Sequence, residues 1–387
     1  MEAERITQTA PGQPKPANAW LVLFALVALL GLVCWGLQLS RGLQLTNLND
    51  KNMWGLYIVG FMVFTGVAAG SLFFGSLPYL FNLGEFKPFT RIAAYLAAVA
   101  SIVAASLFII VDIGNPERIW FFITSGNFAS PMFWDSVILL FYMVVSVIFT
   151  RQLILVREGK KPEQEIKAIA VLAFVAGILV TATSFVFGFQ PARPLWHNPV
   201  QPVSFLVAAL IAALAVLVIL AAILQKRGFL NMPAALLGRM GKLAAALLLV
   251  ELIIVAGEVF TGLYPGAGPE YEAMKWLVAG KGAPAFWLEI IVLIGAMAIL
   301  GSQGAKENRT GLVTGALVAF VGICLVKANL LQAELFNPVL SYPGLALMDQ
   351  ITGPYIPSLV EIGLSLGIVS LGCLLFALGL RKLNLVG

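Results

Sequence analysis

Between Asp112 and Asp135 the chain reads DIGNPERIWFFITSGNFASPMFWD, with two terminal carboxyls, a Glu117–Arg118 pair and two tryptophans between strongly apolar stretches. A carboxyl at the edge of hydrocarbon can exchange a proton near neutral pH, because loss of water disfavours its charged form. An arginine beside it can hold it charged or polarise a carbonyl, so Asp112, Asp135 and Arg118 form the first candidate catalytic set. Further along, Glu251 and Glu258 stand seven residues apart and so share one helix face. Glu289, Lys327, Glu334 and Glu361 also lie inside or at the ends of apolar runs. An ionisable group at the centre of a bilayer costs roughly 2.5–3.5 kcal/mol on insertion scales, so each needs a partner, a route to water or a task. Glu251 and Glu258 suit a proton path that also takes in Glu289, Lys327 and Glu334. Snorkelling side chains and structural ion pairs between helices are the alternative, and Glu117 and Arg118 can simply pair at a surface.

Other chemistries are poorly served. Cys34, Cys324 and Cys373 stand alone in apolar runs, without the spacing of a zinc site, an iron–sulfur cluster or a disulfide framework. The one histidine, His197, cannot supply the paired axial ligands of a membrane b-type haem, and it reads as a surface or hydrogen-bonded residue. No metal site is expected, and electrons handled here must leave through a partner. Gly66 and Gly70, in GVAAG, fit close helix packing and also leave room for a flat ring against the backbone.

The elements that must hold these groups are membrane helices. Hydrophobic residues make up 60% of the 387 and charged residues only 11%, against about 25% charged in soluble domains. Ten spans of about 20 apolar residues are expected at 20–40, 54–81, 89–112, 132–152, 166–189, 202–225, 239–264, 284–302, 310–333 and 357–380. The fold class is therefore all-α and polytopic. Of the 24 Lys and Arg, 17 fall in the tails and even-to-odd loops, against six in the other loops. The positive-inside rule then places both termini in the cytoplasm and the 112–135 segment outside. The net charge of +5 reflects this asymmetry and gives no hint of nucleic acid. Residues 1–18 are polar, without a basic n-region or cleavage site, so the first span is expected to stay as an anchor. The outer loops concentrate Trp, Tyr, Pro and Gly, partly as an aromatic belt. Arg118-Ile119-Trp120 followed by Ser130-Pro131 echoes Arg193-Pro194-Leu195-Trp196 followed by Gln201-Pro202, which suggests an internal duplication.

Three motifs in order, WGLYIVGFMVFTGVAAG (54–70), Asp-x-Gly-x-Pro-x-Arg-x-Trp (112–120) and Ser-Pro-Met-x-Trp-Asp (130–135), resemble the NrfD/PsrC family. These are integral-membrane subunits of nitrite, polysulfide and related respiratory oxidoreductases. The resemblance implies a prokaryotic cytoplasmic-membrane protein with no haem or metal of its own. It implies a quinone, typically menaquinone, bound near the outer surface. A docked ferredoxin-like subunit with four iron–sulfur clusters and further catalytic or cytochrome subunits would complete the complex. The ten-span length resembles a subgroup of sulfate-reducer and quinone reductase complexes. That pattern divides the chain into a cytoplasmic tail (1–19), a first helix and outer loop (20–53), the first part of the first four-helix bundle (54–152), spans five and six (153–225), a second bundle (226–333), and an outer loop with the last helix (334–387). Some relatives carry Asn and His facing the quinone where this chain has Tyr57 and Phe61, which turns attention to Asp112, Arg118 and Asp135 as head-group partners. Trp54, Tyr57 and Trp134 would supply ring contacts, and Gly66 and Gly70 the room. If Glu251 and Glu258 joined the outer pocket to the cytoplasm, quinone chemistry would move charge across the membrane. Two rival readings are a secondary transporter for a small anion, which should show helices broken by Gly or Pro near the midplane, and a passive membrane anchor.

Overall fold

The computed structural model describes residues 18–49, 52–190, 193–230, 232–336, 355–383 and 385; most of the N-terminal tail and of the last long loop lies outside the described residues. Among the described residues, ten helices are long and apolar enough to cross a membrane. They are α1 (Ala19–Arg41), α2 (Leu56–Leu80), α3 (Phe89–Asp112), α4 (Pro131–Arg157), α5 (Glu163–Gly188), α6 (Gln201–Lys226), α7 (Ala234–Leu263), α8 (Ala283–Gly304), α9 (Arg309–Leu335) and α10 (Leu359–Lys382). Each coincides with an expected span. Helices α4 and α7 run about a turn further at the basic end than hydropathy suggests, because Arg151, Arg157, Arg239 and Lys242 ride the helix while their charged heads reach the interface.

Helices α2 to α5 pack around one another, and α6 to α9 do the same. The two groups meet along α2 and α6. This seam explains the GVAAG stretch: a Cβ added at Gly70 would lie 2.5 Å from the Ala213 methyl and 2.6 Å from the Ala209 carbonyl oxygen. With no hydrophobic force between helices in lipid, small residues that let backbones approach hold such a contact together. Helices α1 and α10 pair at the flank, closest where Gly31 meets Gly367, and the Ser370 hydroxyl donates to the Phe24 carbonyl at 3.0 Å.

Two helices depart from regularity. The middle of α3 widens into a π-helical turn at Ala100–Ala105, and α5 breaks at Thr183 and Ser184 before a last turn, Phe185–Gly188. Thr183 and Ser184 turn their hydroxyls back onto the Val180 and Thr181 carbonyls, a local competitor to the helix ladder. No Gly or Pro lies at either irregularity. The tryptophan-rich end also carries short surface helices. Pro116–Ile119 and Trp120–Thr124 expose Trp120, Phe121 and Ile123. Pro269–Ala279 begins with Gly268 at φ 98°, a proline at its first turn, and Glu270 and Glu272 near its positive end.

Candidate functional site

The widened α3, the broken α5 and one face of α2 enclose a cavity of about 500 Å3. Ligand pockets commonly fall between about 300 and 1,000 Å3. Ile58, Phe61, Met62, Thr65 and Gly66 enter its wall from α2. Their i, i+3, i+4, i+7, i+8 spacing is that of one helical face. Ser101, within the π turn, and Ser106, just after it, line it from α3. From Trp54 at its rim to Gly66 the wall descends about 18 Å at 1.5 Å per residue, roughly half the bilayer core.

Aromatic rings build the side toward the second bundle. Trp54 stacks on Trp196 at 5.7 Å, Trp196 meets Phe187 edge-on at 5.3 Å, and Phe187 stacks on Phe205 at 5.3 Å. Trp196 is 2% exposed and donates its indole N–H to the Leu330 carbonyl at 2.8 Å, which fixes the row to α9. Its loop is held in turn by α9: the Glu334 carboxylate accepts the Leu195 N–H, and Arg193 donates to the Glu334 carbonyl at 2.7 Å.

On residues lining this apolar enclosure, three buried polar atoms have no hydrogen-bond partner among the described residues: Asp112 Oδ1, Thr65 Oγ1 and Lys327 Nζ. Leaving such atoms unpaired costs about 1–3 kcal/mol each, more when charged. They are an acceptor, a hydroxyl and a cation on residues that line the cavity; a ligand hydroxyl could donate to the first and a ligand oxygen could accept from the other two. Asp135 lines the same cavity from α4, with the Thr183 hydroxyl beside it. Asp112 and Asp135, 23 residues apart in sequence, thus converge on one space.

Other expected residues lie elsewhere. Tyr57 faces away from the cavity, fully buried, and donates its hydroxyl to Gln38 Oε1 at 2.7 Å; Gln38 then donates to the Val111 carbonyl at 2.7 Å. It stands one position before Ile58, about 100° round the helix, so it clamps α1 to α2 and α3 instead of offering a ring contact. Gly70 belongs to the α2–α6 seam. Trp134 is exposed and donates to the Phe128 carbonyl at 2.9 Å, and Arg118 is exposed on the short surface helix. Neither lines the cavity. Glu334 braces the loop carrying Trp196. Glu361 caps α10 through Ser358 and accepts from Tyr355 and from the Asn47 backbone, and it lines neither cavity. His197 sits at the surface with Nδ1 2.6 Å from the Gly188 carbonyl oxygen.

A second, polar cavity of about 70 Å3 lies in the α6–α9 group. Glu251, Glu258 and Glu289 line it, and each is held by a neutral neighbour: Ser204 donates to Glu251 at 3.1 Å, Gln201 to Glu258 at 2.9 Å and Asn329 to Glu289 at 2.7 Å. Lys327 lines this cavity as well as the large one. Among the described residues no group of three or more His, Cys, Asp or Glu is placed to hold a metal ion.

The fold and cavity define a polytopic α-helical membrane protein with a deep, mainly apolar site whose mouth carries carboxyls. The chain belongs to the family described as Polysulphide reductase, NrfD, which it matches over residues 44–336. It is 26% identical to the Hdr-like menaquinol oxidoreductase integral membrane subunit of Archaeoglobus fulgidus, over 95% of this chain and 93% of that one. It is 24% identical to the menaquinone reductase integral membrane subunit of Nitratidesulfovibrio vulgaris, over 90% and 88% of the two chains. One of the selenate reductase subunits of Mesobacillus selenatarsenatis is likewise 24% identical, over 93% and 92%.

Proposed function

We propose that this protein is the quinone-interacting membrane subunit of a multisubunit respiratory oxidoreductase. Electrons pass between menaquinone or menaquinol in the large cavity and a ferredoxin-like iron–sulfur subunit docked on the tryptophan-rich face. The observation that carries the reading is a mainly apolar enclosure of about 500 Å3 with unpaired Asp112 Oδ1, Thr65 Oγ1 and Lys327 Nζ on its wall. A naphthoquinone and its quinol offer what those atoms lack on a flat apolar body: carbonyl oxygens that accept from Thr65 or Lys327, and quinol hydroxyls that donate to Asp112. Family membership and the menaquinol- and menaquinone-named relatives support the same ligand.

When bound, the quinone supplies two-electron, two-proton chemistry. The chain's own part is to bind, orient and move protons. Trp54, Phe187 and Phe205 offer ring faces. Asp112 and Asp135, near the helix ends, are placed to take or return a proton. The basic-residue asymmetry supports placing the tryptophan-rich face outside. There the exposed Trp120, Phe121, Ile123 and Phe128 form an apolar surface beside the cavity mouth, suited to a partner subunit.

The test is solvent extraction of the purified native complex, together with titration by a fluorescent alkyl-hydroxyquinoline N-oxide, a ring analogue of menaquinol. Stoichiometric menaquinone and quenching of the analogue, reversed by added menaquinol, are expected. An extract free of quinone with no quenching refutes the reading.

A further inference from the structure

Lys327 is common to the linings of the quinone-sized cavity and the carboxyl chamber. It is 3% exposed, its ammonium has no hydrogen-bond partner, and Nζ lies 3.6 Å from the centroid of the Phe205 ring, between the two spaces. A cation–π contact alone is too weak to anchor a buried cation. A lysine head turns on a flexible four-carbon stem and can give up its proton. On the chamber side, Glu251 Oε2 is also unpaired and fully buried. One lysine among three carboxyls in low dielectric approaches neutrality only if at least two carboxyls carry protons, two with the ammonium and three with the free amine, so the chamber stores exchangeable protons.

The chamber has an outlet on one side. Its lining continues from Glu251 through Glu258 to Asn198 and to Glu270, on the surface helix at the tryptophan-rich end. Toward the basic end the way is apolar. No ionisable residue stands on α6 between Gln201 and Gln225, on α7 between Lys242 and Glu251, on α8 beyond Glu289, or on α9 between Arg309 and Lys327 save Cys324.

We infer that Lys327 is a swinging proton relay between the large cavity and the Glu251–Glu258–Glu289 chamber, and that the chamber drains to the tryptophan-rich face. The inference rests on the quinone reading and goes beyond it by giving a proton a route separate from the cavity mouth. In each transfer the Lys327 ammonium first yields its proton to a chamber carboxylate, and the chamber passes one toward Glu270. The amine so freed then accepts a proton from a ligand hydroxyl as that O–H bond breaks, which restores the ammonium. The ligand's electrons go to the iron–sulfur partner. Reduction of a quinone runs the same steps backward. The path returns protons to the side of the aromatic loops, so it carries no net charge across the bilayer.

Arginine separates a relay from a structural counter-charge, because guanidinium keeps the charge but does not release a proton. In the purified complex at saturating quinol, Lys327→Arg and Lys327→Met should both slow quinol-driven electron transfer about 100-fold, the arginine no less than the methionine although it keeps the charge. Glu251→Gln should slow turnover with unchanged analogue binding. In proteoliposomes with a pH dye sealed on one side, parent protons should appear on the tryptophan-rich side. Full-speed Lys327→Arg, full-speed Glu251→Gln, or protons released on the basic side would each overturn the relay. Failure of the parent itself to bind the analogue would overturn the quinone reading instead.

Discussion

Trp196 allows a sharp test of how the cavity wall is supported. It lies behind the wall, with Trp54 stacked on it, Phe187 against its edge and its N–H on Leu330. In Trp196→Phe a ring remains and one hydrogen bond goes, a loss of about 1 kcal/mol. In Trp196→Ala both aromatic contacts go as well. Truncation of a buried Trp costs about 3–5 kcal/mol in soluble cores, but here the unfolded reference is also apolar. We therefore expect about 2–3 kcal/mol, chiefly packing, or roughly a 100-fold shift in the folding equilibrium. Loss of the Trp54 partner should loosen the ring-binding face by about one aromatic pair, weakening the quinol analogue about tenfold. The assays are an SDS titration in mixed micelles and fluorescence titration of the analogue, with Trp196→Phe as the intermediate case. If Trp196→Ala unfolds at the parental SDS fraction and binds the analogue as the parent does, the aromatic row is not the support we take it to be.

Asp135→Asn should lower quinol-dependent electron transfer by about 10²–10⁴-fold while the complex assembles normally; parental turnover would remove Asp135 from the chemistry. Gly70→Leu, which drives a side chain into Ala213 and the Ala209 carbonyl, should abolish a folded, monodisperse protein. Gly257→Leu, with nothing within 4 Å of its added Cβ, should be tolerated, and equal size-exclusion profiles for the two would contradict the seam. Glu361→Gln weakens the charge-assisted bonds to Ser358, Tyr355 and the Asn47 backbone, by about 1–2 kcal/mol. Tryptic cleavage at Arg41 should accelerate, and an unchanged rate would show that Glu361 does not hold that loop.

Hydropathy made the ten spans legible because a bilayer of fixed thickness demands uninterrupted apolar length. It understated α4 and α7, whose ends are helical but basic. The π turn in α3 left no mark, since an i→i+5 bond needs no particular residue and no Gly or Pro stands there. The convergence of Asp112 and Asp135 could be anticipated from their placement at facing helix ends. Tyr57 could not be oriented by motif alone: a single position on a helix turns a side chain by 100°, here from the cavity to Gln38. The supporting role of Trp196 had a faint signal, the Arg193-to-Trp196 echo of Arg118-to-Trp120. Phe205 and Phe187 had none, because Phe is common in every span. Lys327 was conspicuous as a cation in an apolar run, but its place between two spaces depends on tertiary packing.

The pairing of α1 with α10 sets a timetable for biogenesis. Among the described helices, α1 finds its principal neighbour only in α10, 346 residues further along the chain at the Ser370–Phe24 contact. Until then α1 must wait in lipid as a solitary helix, linked to the rest mainly through Gln38 and its clasp on Tyr57 and Val111. Ribosomes stalled before Leu359 would leave a nascent chain with both bundles translated and its Gly31 groove unfilled, a natural checkpoint for membrane quality control.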